Sequence, residues 1–96
     1  NESSITGVVE EVYNNSILIS IQTDAYPYGA YCDVSLDAEN KDDMVDFNIG
    51  DEVIVYYDGN IAESYPLQIN TVYAISLKDP ANWSKNKRFP VLVLVA

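Results

Sequence analysis

The sequence predicts a mostly β domain: a five-stranded Greek-key barrel, one short helix between strands 3 and 4, and an extra C-terminal strand. Apolar and polar residues alternate with a period of two through most of the chain, which is typical of half-buried strands. Turn-forming Asn, Asp, Gly and Pro residues separate these segments. The length of 96 residues fits a single domain, 1–96.

The first two strands are predicted at 5–13 and 16–23, on either side of an Asn14-Asn15 turn. Isoleucines at every second position mark the core face of strand 2: Ile17, Ile19 and Ile21. Strand 1 loses this alternation, because Val9 and Val12 lie three residues apart. We therefore predict a β-bulge at Glu10-Glu11 that turns both valines inward.

A loop at 24–29 precedes strand 3, predicted at 31–36. Its core face is expected to carry every second side chain: Cys32, Val34 and Leu36. The single Cys lies inside this apolar alternation, without a nearby cation in the sequence to lower its pKa. We interpret Cys32 as a small buried apolar residue rather than a reactive thiol.

The segment 37–50 departs from the β pattern and predicts a helix at 41–47. Asp42 and Asp43 would interact favourably with the positive, N-terminal end of the helix dipole, and Gly50 would prevent the helix from continuing. Met44 and Phe47 are then expected to cover an apolar opening of the barrel.

Strand 4 is predicted at 51–57 and strand 5 at 68–77, with a loop between them that Pro66 keeps from regular pairing. A polar connection, 78–88, leads to an additional apolar strand at 89–95. Three strands, a helix and two strands form the order of an OB-fold, which we assign to 5–77.

Five segments carry a resemblance to a known family: Gly7-Val8-Val9, Asn15-Ser16-Ile17-Leu18-Ile19, Gly50-Asp51-Glu52-Val53, Tyr57-Asp58-Gly59 and Glu63-Ser64-Tyr65-Pro66-Leu67-Gln68-Ile69. They resemble small OB-like domains of uncharacterised Gram-positive bacterial proteins, many of them secreted or lipoprotein-anchored. The resemblance implies an OB-like fold and an extracytoplasmic location, secreted or held at the cell surface by an upstream lipid anchor. It implies no reaction, because that family has no established catalytic residues.

The formal net charge of −10 argues against nucleic acid as a partner. Lys41 is the one basic residue in 1–77, and phosphate binding depends on Lys and Arg. The same charge disfavours contact with anionic lipid headgroups. No apolar run approaches the roughly 20 residues of a membrane span, so no direct span is predicted.

Eight tyrosines in 96 residues point to a binding surface. Tyrosine combines apolar area with a polar tip and is enriched at interfaces. The candidate binding residues are Tyr26, Tyr28, Tyr31, Tyr56 and Tyr65, and the expected ligand is a protein, a peptide or a glycan. Two alternatives stay open: tyrosines that only cover a small barrel, and a Tyr65 that closes the barrel end as a lid.

The chemistry available for catalysis is limited. The chain has no His and one Cys, so no metal, cofactor or catalytic residue is predicted. Adjacent acids such as Asp51-Glu52 point to opposite faces on a strand, which opposes cooperation. The alternative function is a small carboxylate-based hydrolase acting on glycans. The acidic segment 37–52 is interpreted as a solvated face, with the binding of a cation such as Ca²⁺ by its carboxylates as the alternative.

The apolar segment 89–95 would favour aggregation if it were exposed. Either the barrel of the same chain or a second copy of the protein must cover it. A homodimer through 89–95 is therefore a hypothesis of the sequence.

Overall fold

Residues 2–81, the part of the chain that the computed structural model describes, form six β-strands in one mixed sheet. The strands are β1 (Ser3–Val12), β2 (Ser16–Ile21), β3 (Ala30–Ser35), β4 (Glu52–Tyr57), β5 (Leu67–Ile69) and β6 (Val72–Asp79). Their order across the sheet is β5-β3-β2-β1-β4-β6. Every neighbouring pair is antiparallel except β3 and β5, which are parallel. The prediction of a mostly β domain is confirmed.

The continuous fifth strand predicted at 68–77 is wrong, because the chain forms two strands there. β5 pairs with β3 at one edge of the sheet, and β6 pairs with β4 at the other. Only Asn70 and Thr71 separate them in the chain. A strand that must pair with both edges has to change direction between them. The strand pairing leaves the sheet open, with β5 and β6 as its two edge strands. In the chain, Asn70 and Thr71 connect one edge strand to the other.

The predicted bulge in β1 is confirmed. Val9 pairs with Ile19 and Glu11 with Leu18, so Glu10 is the extra residue. Val12 then pairs with Ile17, which returns it to the face that Val9 occupies. Val9 is fully buried, but Val12 is 44% exposed because it is the last residue of the strand. The predicted burial of Val12 is therefore wrong.

The core lies on the face formed by alternate residues of β2, β3 and β4. The predicted inward residues of β2 are all buried, and Cys32 and Val34 of β3 are too. In β4 the buried side chains are Val53, Val55 and Tyr57. This period-two burial confirms the core faces predicted for strands 2 and 3, except that Leu36 lies beyond the end of β3 and is half-buried against the core.

Gly7 lets β1 and β2 approach closely. A Cβ built on Gly7 would lie 2.7 Å from the carbonyl oxygen of Ser20 and 2.8 Å from Cδ1 of Ile19. No side chain fits this space without a shift of backbone or core. The glycine that interrupts the apolar pattern of β1 is thus a packing requirement.

The helix predicted at 41–47 is absent; the structure has turns and irregular chain there. The amide of Asp42 donates to Oδ1 of Asn40 at 2.8 Å, a local bond that competes with helix formation. In the predicted helix, Asp42 and Asp46 would also be neighbours of like charge, which opposes helix formation.

The two apolar side chains of this segment still reach the core without a helix. Phe47 is buried, and Met44 is half-buried against the core cluster. Backbone bonds hold the start of the segment to β6, where the amide of Glu39 donates to the carbonyl oxygen of Val72 at 3.0 Å. The predicted apolar cover is present in a different backbone conformation.

Two further predictions from the sequence concern the C-terminal part of the chain. The predicted polar connection, 78–88, is wrong at its start, because Lys78 and Asp79 belong to β6. The edge pairing with β4 extends the strand to Glu52 opposite Asp79. The predicted strand at 89–95 lies outside the described residues. Within 2–81, no helix has the length and apolar character needed to cross a membrane.

Candidate functional site

A half-open groove of about 570 Å³ lies where the end of β2 and the start of β3 meet the loop before β5. We call it the tyrosine groove. Four tyrosines and two core aliphatic residues contribute to its lining: Tyr26, Tyr28, Tyr31, Tyr65, Ile21 and Leu67. The sequence predicted all four of these tyrosines as binding residues. The fold brings Tyr65 of the 58–66 loop beside the other three, which lie in the 22–29 loop and in β3, the strand that follows that loop.

The tyrosines of the groove differ in exposure. Tyr28 is 100% exposed, Tyr65 is 93% exposed and Tyr31 is 50% exposed, whereas Tyr26 is half-buried. A side chain that is 93% exposed does not cover the end of a core. The lid interpretation of Tyr65 is therefore wrong, and its ring faces solvent at the rim of the groove.

Local hydrogen bonds shape the 22–29 loop, which carries Tyr26 and Tyr28. The amide of Tyr26 donates to the carbonyl oxygen of Thr23 at 3.0 Å, and the amide of Gly29 donates to that of Tyr26 at 3.0 Å. Nε2 of Gln22 donates to the carbonyl oxygen of Pro27 at 2.9 Å. These bonds hold the loop as consecutive turns, and Tyr28 projects from them.

Tyr26 joins this loop to the 58–66 loop on the other side of the groove. Its hydroxyl donates to Oε2 of Glu63 at 3.4 Å. Partial burial raises the pKa of the Tyr26 phenol, and the negative charge of Glu63 raises it further. The phenol therefore stays protonated and keeps its role as donor across neutral pH.

The 58–66 loop is held against β5 by a pair of backbone bonds. The amide of Ala62 donates to the carbonyl oxygen of Gln68 at 2.8 Å, and the reverse bond measures 3.0 Å. Oγ of Ser64 donates to the carbonyl oxygen of Pro66 at 2.8 Å, and the Tyr65-Pro66 peptide bond is cis. The loop thus presents Tyr65 on a folded-back segment.

Tyr56, the fifth candidate binding residue, does not line the groove. It lies on β4, opposite Ser4 of β1 and Ala74 of β6. Two strands, β1 and β2, separate β4 from β3 in the sheet. The sequence places Tyr56 near Tyr65 along the chain, but the sheet order carries β4 away from the groove.

The adjacent acids form no shared site, and one of them has a role that the sequence did not indicate. Asp51 is buried, with 3% exposure. Its Oδ2 accepts from the amide of Asn48 at 2.7 Å, and its Oδ1 accepts from the amide of Ala81 at 2.8 Å. The interpretation of 37–52 as a solvated face is therefore wrong for Asp51. The Gly-Asp pair that ends the segment was the available signal of a capped turn.

No group of three or more potential metal ligands occurs among residues 2–81. Cys32 is buried, and burial raises the pKa of its thiol to about 11, with a smaller contribution from the charge of Asp33. The thiolate, which is the nucleophilic and metal-binding form, is therefore disfavoured at neutral pH.

Comparison with known proteins finds no matching family model, no matching curated protein and no matching solved structure. The likeness to Gram-positive OB-like domains therefore stays a prediction of the sequence.

Proposed function

We propose that this chain is a non-catalytic binding module whose ligand contacts the tyrosine groove. One observation carries the proposal: three exposed rings, those of Tyr28, Tyr31 and Tyr65, border a single concave surface. Exposed tyrosines offer apolar contact area and a hydroxyl with little loss of side-chain entropy. A protein, a peptide or a glycan would each be bound by such rings.

We further propose that the sheet is an OB-like barrel in which β5 and β6 together act as the fifth strand. Three features support this topology: the parallel β3–β5 pair, the sharing of β1 by β2 and β4, and the short link at Asn70-Thr71. OB-folds bind ligands on the face of strands 2 and 3 and in the loop between strands 4 and 5. The tyrosine groove uses both of these parts.

The absence of catalysis is part of the proposal. Glycoside hydrolysis needs two carboxyl groups on either side of one bond, about 5–10 Å apart. No Asp or Glu lines the groove within the described residues, and Glu63 is engaged with Tyr26 at its border. The buried carboxylate of Asp51 accepts hydrogen bonds from two backbone amides.

For the location we propose an accessory module of a secreted or lipid-anchored bacterial envelope protein. This part rests on the sequence resemblance alone. Exposed tyrosines and an acidic surface are compatible with that location, because net charge keeps a Tyr-rich surface soluble.

The proposal is tested by NMR mapping of amide shifts in the pure protein against panels of peptides and glycans. We expect shifts in the 22–29 loop, at the start of β3 and in the 58–66 loop, without turnover of the ligand. Tyr28→Ala and Tyr65→Ala should each weaken binding and leave the melting temperature nearly unchanged, because both side chains are exposed.

Tyr13→Ala is the matched control, since Tyr13 is 52% exposed and lies outside the groove. Binding that Tyr13→Ala weakens as much as Tyr28→Ala would contradict the assignment to the groove. Release of a shortened glycan or peptide would contradict the non-catalytic part.

A further inference from the structure

Acidic residues greatly outnumber basic residues in the part of the chain that the structure describes. All fifteen acidic residues of the chain, but only two of its five basic residues, lie within 2–81. Nζ of Lys41 lies 3.8 Å from Asp37, and Nζ of Lys78 lies 3.7 Å from Glu52. Neither lysine lines the groove. The field at the groove therefore favours a cationic ligand over a neutral or anionic one.

The groove also offers the groups that bind a cation locally. Tyr28 and Tyr65 present exposed rings, and a Lys or Arg side chain is attracted to the face of such a ring. The carboxylate of Glu63 stands at the border through its contact with Tyr26. An ammonium or guanidinium group resting on a ring here would have a carboxylate nearby.

The edge of β3 next to the groove supports an extended polypeptide as the carrier of that cation. β5 begins to pair with β3 at Cys32, opposite Leu67. Ala30 and Tyr31 pair with β2 on one side of β3. On its other side they have no partner in β5, because the β5 pairing begins at the next residue. Both residues line the groove, and within residues 2–81 no strand pairs with them on that side, so an added strand can bond to the one of the two whose N–H and C=O groups point away from β2.

From these observations we infer that the groove binds an extended segment of a cationic polypeptide, which pairs with the β3 edge and lays a Lys or Arg side chain on the rings of Tyr28 and Tyr65. This inference rests on the proposed binding function and adds the class of ligand to it. A glycan has no backbone amides that continue a sheet, and it gains nothing from the negative field.

The experiment measures binding of a short peptide that alternates Lys and Gly, with NMR mapping of its site. A second peptide with Gln in place of each Lys removes the charge, and a soluble N-acetylglucosamine oligomer represents glycans. We expect the Lys peptide to bind at the groove, and to bind more weakly as the salt concentration rises from about 0.01 to about 0.15 M. Tyr28→Ala and Tyr65→Ala should each weaken the affinity for the Lys peptide about fivefold.

Glu63→Gln tests the carboxylate, because the amide keeps an acceptor for Tyr26 and removes the charge. Glu11→Gln is the matched control: it changes the net charge equally at an exposed position of β1. We expect Glu63→Gln to weaken binding of the Lys peptide more than Glu11→Gln does. Equal effects of the two variants would show attraction to the whole surface and would overturn the inference.

The remaining outcomes separate this inference from the binding function. Equal affinity of the Gln peptide, or preferred binding of the oligosaccharide, at the groove would overturn the cationic ligand and leave the binding function standing. Binding of the Lys peptide away from the groove would overturn the inference alone. Lack of binding by every probe would overturn both.

Discussion

The carboxylate of Asp51 accepts a hydrogen bond from the backbone amide of Ala81, thirty residues further along the chain, at 2.8 Å. The same carboxylate accepts from the amide of Asn48 at 2.7 Å. It therefore links the turn before β4 to the residue that follows β6 by two positions. Because β4 and β6 are neighbours in the sheet, this buried acid stabilises one end of their pairing.

Asp51→Ala should lower the free energy of unfolding by about 2–3 kcal/mol, because it leaves two backbone amides without their charged acceptor. Asp42→Ala is the control: Asp42 is exposed, and the change should stay within about 0.5 kcal/mol. Urea unfolding followed by circular dichroism measures both. Equal stability of the two variants would show that the Asp51 bonds contribute nothing.

The sequence predicted the strand faces well, since their physical signal is local. Burial on every second residue requires only the alternation of apolar and polar side chains, as at Ile17, Ile19 and Ile21. The bulge at Glu10 was also visible, because it shifts that alternation by one residue. Four groove tyrosines were found through their position in loops or beside them.

What the sequence could not predict depends on pairing between distant segments. The break at Asn70-Thr71 follows from the pairing of β5 with β3 and of β6 with β4, which no local pattern encodes. The same sheet order separates Tyr56 from the groove. The Gly50-Asp51 pair signals a capped turn, but the burial of Asp51 also depends on the arrival of Ala81, which no local pattern encodes.

Gly7→Ala should destabilise the fold by about 1–3 kcal/mol, since the new methyl group would be 2.7 Å from the carbonyl oxygen of Ser20. The clash is with backbone, so a side-chain rotation does not relieve it. Thr6→Ala, at the exposed neighbouring position, is the control. Thermal unfolding compares the variants, and a Gly7→Ala protein as stable as Thr6→Ala would refute the close approach of β1 and β2.

Glu63→Gln should lower the pKa of the Tyr26 phenol toward its ordinary value of 10.0 without reaching it. Loss of the carboxylate removes one cause of the raised pKa, but burial, the larger cause, remains. NMR titration of the tyrosine ring carbons measures this change, with Glu11→Gln as the control for net charge. An unchanged Tyr26 titration would mean that the two loops do not meet through this pair.

The buried thiol of Cys32 predicts a specific loss of stability at alkaline pH. Burial raises its pKa to about 11 from the ordinary 9.0, so the folded state favours the neutral thiol. The stability that the neutral thiol contributes is fully present below the pKa of Cys32 in the unfolded chain. It is lost as the pH rises through the pKa of Cys32 in the folded chain. Between those two values the loss approaches about 1.4 kcal/mol per pH unit.

Cys32→Ala isolates this effect, because it removes the titrating group and keeps a small apolar side chain in the core. Tyr26 and Tyr57 also have raised pKa values, with burial as the largest cause for each, so the comparison subtracts most of their effect. We expect the stability advantage of the wild-type chain over Cys32→Ala to be constant below about pH 8 and to shrink steadily toward about pH 11. Denaturant unfolding at a series of pH values measures it. A constant advantage across that range would mean that Cys32 ionises as readily in the folded chain as in the unfolded one.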